Sequence, residues 1–184
     1  MIALHASANQ RPPVLVSVNS SNRAHRCWRK QAVDDDEFLR QFQDCSLPFD
    51  CWTHRAHVKV AFLYLRDHQF DEALAKMRAG IKSYNAAHDV PETETRGYNE
   101  TITCAMMQLV AATIAAYRDT FPTPTADAFC DTHSQLLNKH VLRLFYSPGR
   151  RMHPEAKSRF IEPDLTRLPT MRPTNETRRN KPAG

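Results

Sequence analysis

His54 and His57 stand three residues apart at the head of an apolar stripe continued by Val58, Ala61, Phe62 and Leu65. Residues with that spacing share one face of an amphipathic helix, so both imidazoles should point inward, side by side. Glu100 opens a second stripe of the same kind, with Cys104, Met107, Ala111 and Ile114 behind it. Two imidazole nitrogens and a carboxylate projecting into a bundle core suit Zn(II) or non-haem Fe(II). A coordination position left open to water would permit Lewis-acid or hydroxide chemistry. In that scheme His54, His57 and Glu100 are the metal ligands and Glu100 and Tyr98 the catalytic pair. Asn99 supports them by orienting a bound water or small-molecule substrate. The same residues also fit a structural hydrogen-bond network. The protein would then be a non-catalytic binding or accessory protein, so whether it is an enzyme stays open. In either reading Glu100 needs a partner, because burying an unpaired carboxylate costs several kcal/mol.

The elements that must hold these residues are all helical. Asp34 to Glu37 supply a cap and a negative first turn for a short helix with Phe38, Leu39 and Phe42 on its apolar side. A second helix is predicted from Phe49 to His68, with Arg55, Lys59 and Arg66 on its solvent side. A third begins at Asp71, has Ala73, Leu74, Met77, Ile81 and Tyr84 inward, and exposes Lys76, Arg78 and Lys82. After a polar connection over 86–97, a fourth helix from about Asn99 to Thr120 is apolar on nearly every side and belongs at the bundle centre. A fifth stretch follows from Asp127 through Phe145 and ends at Ser147-Pro148-Gly149. A short helix over 155–160 and an extended strap over 162–169 complete the chain. The expected fold is all-α, a single bundle of four to five main helices over residues 34–169. Residues 1–33 and 170–184 read as disordered basic tails.

Composition narrows the function classes. Residues 1–33 hold five Lys/Arg and no acid, residues 166–184 five Lys/Arg and one acid, and residues 34–165 hold 15 basic against 19 acidic side chains. The formal +5 therefore belongs to the tails. No basic aromatic groove accompanies them, so nucleic acid is not an expected partner. Only 4 glycines argue against a Gly-rich nucleotide-binding fold. The longest apolar run, Met106 to Tyr117, is short for a membrane span and contains Gln108. Five cysteines form no CxxC pair, and no secretory leader precedes them, which predicts reduced thiols and a cytoplasmic location. The acid-free first 33 residues loosely fit an organellar transit peptide, but Pro12 and Pro13 interrupt their amphipathic character. His133 and His140 are expected on an exposed face, and His68, His88 and His153 in solvated ends or connections. Oligomeric state is not legible.

Trp52-x-His54-x-x-His57, then Met77-Arg78-x-Gly80-Ile81 with Tyr84-Asn85, then Gly97-Tyr98-Asn99-Glu100-Thr101-Ile102-Thr103, form a pattern. It resembles a family of small uncharacterised helical proteins of bacteria and fungi. Phe145-Tyr146-Ser147, Pro154-Glu155-Ala156 and Glu162-Pro163-Asp164-Leu165 extend the resemblance over about residues 36–169. The family pattern has a histidine where this chain has Asn99. The resemblance thus implies a family site of three histidines and a glutamate, reduced here by one nitrogen ligand. Asparagine offers only a carbonyl oxygen, a poor transition-metal donor. No reaction follows from the resemblance.

Overall fold

The computed structural model describes residues 34–170, so the expectations for the tails concern residues outside that range, Thr170 excepted. Among the described residues there is no strand, and the all-α expectation holds. The α-helices are α1 (Asp35–Gln43), α2 (His54–Asp67), α3 (Phe70–Ala87), α4 (Glu100–Tyr117), α5 (Ala126–Thr132) and α6 (Pro148–Arg151). Single 3-10 turns occupy Phe49–Cys51, Ser134–Leu137, Val141–Leu144 and Pro154–Lys157.

Helix starts follow side-chain chemistry. The Asp34 carboxylate accepts from Asp36 N at 2.9 Å, and Asp35, Asp36 and Glu37 complement the positive end of α1. The predicted helix from Phe49 is split. Phe49–Cys51 closes as a 3-10 turn, and Thr53, extended at φ −91° and ψ 173°, caps α2 by accepting from Ala56 N. His54 is therefore the first residue of α2, where its ring can leave the helix end freely.

α2 packs against α1, α3, α4 and α5 and is the centre of the bundle, the place the sequence assigned to the fourth helix. The difference traces to one residue. Lys59, expected in solvent, is 1 % exposed, with its Nζ 2.8 Å from Asp127 Oδ2 and 4.3 Å from the Phe38 ring centroid. Neutralising that lysine lets α2 be buried on nearly its whole circumference. Arg55, also expected in solvent, pairs with Asp127 and Asp131 at 2.9 and 2.8 Å.

α4, with 18 residues, is long and apolar enough to cross a membrane by length and composition, beyond what the shorter run Met106 to Tyr117 suggested. Half of it is buried inside the bundle, and a core helix meets the same criterion.

The fifth helix is shorter than predicted. It stops at Thr132, and two 3-10 turns carry the chain through Leu144. His133 leaves the helical region at ψ 50°, and Asn138 Oδ1 bonds His140 N at 2.9 Å, a local turn bond that competes with helix continuation. Ser147-Pro148 starts α6 rather than only ending a helix, since Ser147 Oγ accepts from Arg150 N at 3.2 Å and proline suits a first helical position. The strap over 162–169 is present, tied down by Leu165 N to Phe145 O at 3.0 Å and by Asp164 to Ser147.

One aromatic column links α1 to the head of α2. Phe42 lies 4.5 Å from Trp52 between ring centroids, and Trp52 lies 3.8 Å from the His57 ring. Gly80 on α3 makes room for it. A Cβ there would sit 2.6 Å from Phe42 Cε1, and Phe42 is fully buried.

Cys45, Cys104 and Cys130 are free thiols, as expected. Cys51 is disulfide-bonded, which corrects the expectation of reduced thiols throughout.

Candidate functional site

The two histidines at the head of α2 are each pinned by a backbone carbonyl. His57 Nδ1 is 2.8 Å from Thr53 O, and His54 Nε2 is 2.9 Å from Leu136 O in the turn that follows α5. A carbonyl oxygen only accepts, so the bonded nitrogen of each ring carries the proton. In the neutral rings His57 Nε2 and His54 Nδ1 are then bare acceptors. Neither makes a hydrogen bond to another described residue.

Both rings stand on the wall of a cavity of about 270 Å³ between α2, α3, α4 and the 3-10 turn Val141–Leu144. Met77, Ile81, Met107, Val110 and Leu142 give it apolar sides. Thr103 and Lys139 are its other polar residues, and no carboxylate lines it. A larger groove of about 690 Å³ lies at the far end of α2, where Arg66 is paired with Asp67 at 2.8 Å and His68 lies 3.0 Å from Glu72.

Burial pushes the His57 imidazole down to about 4, against a weaker opposing pull from the Thr53 carbonyl and with a small further push from His54. The ring is therefore neutral at pH 7. A histidine held below its ordinary value of 6.5 binds a proton more readily when the chain unfolds. Its contribution to stability is complete above about pH 6.5 and is lost as pH falls through about 4. We expect acidification across that window to cost up to about 3 kcal/mol more in the wild type than in His57→Gln, which keeps a donor for Thr53 O. Denaturant melts of both proteins from pH 7 to pH 4 measure the difference.

Glu100 does not share the cavity lining. Its Oε1 receives Arg78 Nε at 2.9 Å, Arg78 Nη2, and Cys104 Sγ at 3.0 Å, while Tyr98 Oη donates to Oε2 at 2.6 Å. Burial alone would raise this carboxyl, but these hydrogen bonds and the Arg78 charge overcome it and hold it at about 2. A carboxylate so fully bonded is a weak proton acceptor at neutral pH. The Cys104 thiol is pushed up to about 12 by burial and by Glu100, which keeps it protonated. Burial and Glu100 likewise raise the Tyr98 hydroxyl. Asn99 Oδ1 accepts from Ile102 N at 2.9 Å, so it is spent as the N-cap of α4.

The structure thus brings His54 and His57 together and sets Glu100, Tyr98 and Asn99 to other bonds. Among the described residues no group of three or more His, Cys, Asp and Glu is arranged to hold a metal ion. Two other expectations change. His133 is 5 % exposed, packed against Phe129 and Tyr117 at 4.8 and 5.2 Å, rather than on a solvated face. His88 is bonded to Cys45 O at 3.1 Å and packed on Tyr84 rather than solvated.

Sequence reading named Trp52 and Arg78 without the contacts they make, and it missed Lys139. Trp52 carries a signal, since an aromatic just ahead of the helix can fold over a histidine of its first turn, here His57. Arg78 carries none, because its partner Glu100 is 22 positions away, and Lys139 carries none, because the turns that place it at the cavity were read as one helix. No protein-family model, no curated protein and no solved structure matches this chain.

Proposed function

We propose that the chain binds a small, largely apolar molecule with a hydrogen-bond-donating group in the cavity headed by His54 and His57. The supporting observation is a pair of histidines, each with one ring nitrogen unbonded, lining an apolar pocket that contains no carboxylate. A volume of about 270 Å³ corresponds to about nine waters and accommodates roughly ten non-hydrogen atoms. An unbonded imidazole nitrogen would accept the ligand's proton-bearing group, and the methionine-rich walls would adapt to its body.

Calorimetric titration with phenol and with anisole, which lacks the donor, tests this. Phenol should bind about tenfold or more tightly than anisole, the weight of one hydrogen bond in a dry site. His57→Gln and His54→Ala should each weaken phenol. Equal binding of the two probes, or none of either, would overturn the reading.

A second reading, divalent zinc or iron on the same imidazoles, is favoured by their carbonyl bonds, since metal-ligating histidines usually donate their other N–H in this way. Two nitrogens would need completion by a small-molecule donor, or by Glu100 released from Arg78. One metal equivalent per chain in untagged protein would support it, and metal at background would oppose it. A cytoplasmic location belongs to this proposal too. The three free thiols are consistent with it, and the bonded Cys51 is not.

A further inference from the structure

The cavity has a charged side that the pair of histidines does not explain. Lys139 lines it from the loop between the two 3-10 turns, and its side chain is exposed, so it stands at the mouth. It makes no ion pair or hydrogen bond with any described residue. Arg143 and Arg151, outside the cavity lining, act with Lys139 on His140, and neither has a carboxylate partner among the described residues. His140 sits among all three cations, and beyond its burial it is their charge that lowers it, with no acidic residue acting in the opposite direction. A mouth of one sign over low-dielectric walls concentrates counter-ions and speeds their entry. The ammonium of Lys139 at this cavity therefore suits an anion, while the walls offer apolar contact and two imidazoles.

The geometry points to a small aromatic or aliphatic monocarboxylate carrying a hydroxyl group as the ligand class, its carboxylate at Lys139 and its one hydroxyl proton donated to the unbonded nitrogen of either His54 or His57. This inference rests on the cavity being a ligand site. The two ends of such a molecule satisfy the two polar features of the pocket, which a neutral phenol would satisfy only at the imidazoles. A carboxylate placed directly against the bare nitrogens would face acceptors with an acceptor, so the head group belongs at the lysine.

The test uses 4-hydroxybenzoate and its neutral isostere 4-hydroxybenzamide, titrated calorimetrically at pH 7.5 against the whole chain, with phenol alongside. The acid should bind at least tenfold more tightly than the amide. Lys139→Gln should bring the acid down to the amide's affinity, and Lys139→Arg should restore most of the gap. Raised salt should weaken the acid more than the amide. Phenol binding with acid and amide equal, or with the amide tighter, overturns the anion inference and leaves the cavity reading standing. Failure of all three probes to bind overturns both.

Discussion

Replacing Arg78 by methionine should lower the unfolding free energy by about 3 kcal/mol, the low end for breaking a buried ion pair because the arginine side chain is 38 % exposed. The loss comes from what is left behind. Glu100 is 8 % exposed, and without Arg78 it keeps only the Tyr98 hydroxyl and the Cys104 thiol. Its carboxyl, held at about 2, should then rise toward or beyond the ordinary 4.5. The pH signature has a fixed sign. In the wild type Glu100 contributes stability that is complete above about 4.5 and lost as pH falls through about 2. In Arg78→Met that acid-labile contribution disappears, so the two proteins should converge in stability at low pH and diverge at neutral pH. Removing both charges, as in Arg78→Met with Glu100→Leu, should recover much of the loss. Urea melts of the single and double variants from pH 2.5 to pH 7 measure this. Additive losses would show that the pair does not act as a unit.

Truncating Phe42 to alanine should cost about 3–5 kcal/mol, the range for a fully buried phenylalanine. The cavity would open against bare backbone at Gly80 and against the Trp52 and Tyr84 rings, at 4.5 and 5.9 Å, which cannot collapse into it without leaving their own contacts. The effect should reach the site, because Trp52 is the plate on which His57 rests. Phenol affinity should fall along with stability. Gly80→Ala places a methyl where the ring now lies, so it should destabilise the wild type by about 1–3 kcal/mol and Phe42→Ala by much less. A double-mutant cycle in guanidinium reads this coupling. Equal costs of Gly80→Ala in both backgrounds would remove Phe42 as the reason for the glycine.

Helix type and most core faces were legible from the 3.6-residue period, since Ala73, Leu74, Met77, Ile81 and Tyr84 are all buried as the stripe implied. The histidine pair was legible for the same reason. What escaped were the terms that depend on distant charge. Lys59 and Arg78 look like solvent-side residues until Asp127 and Glu100 are known to face them. The stretch after Thr132 kept helical spacing at Leu136, Leu137, Val141, Leu144 and Phe145, yet 3-10 turns produce a similar clustering of apolar residues, and the Asn138 turn bond lies between the two turns. Glu100 was correctly read as needing a partner. Which one it takes depends on packing between α3 and α4, and the choice of Arg78 over the imidazoles separates the observed arrangement from the three-ligand expectation.

The most direct measurement is a long-range ¹H–¹⁵N correlation spectrum of the histidine side chains at pH 7, recorded before and after addition of phenol. The account predicts His57 protonated on Nδ1 and bare on Nε2, His54 bare on Nδ1, and both bare nitrogens shifting together as phenol is added. A proton on His57 Nε2, or bare nitrogens unmoved by saturating phenol, would contradict it.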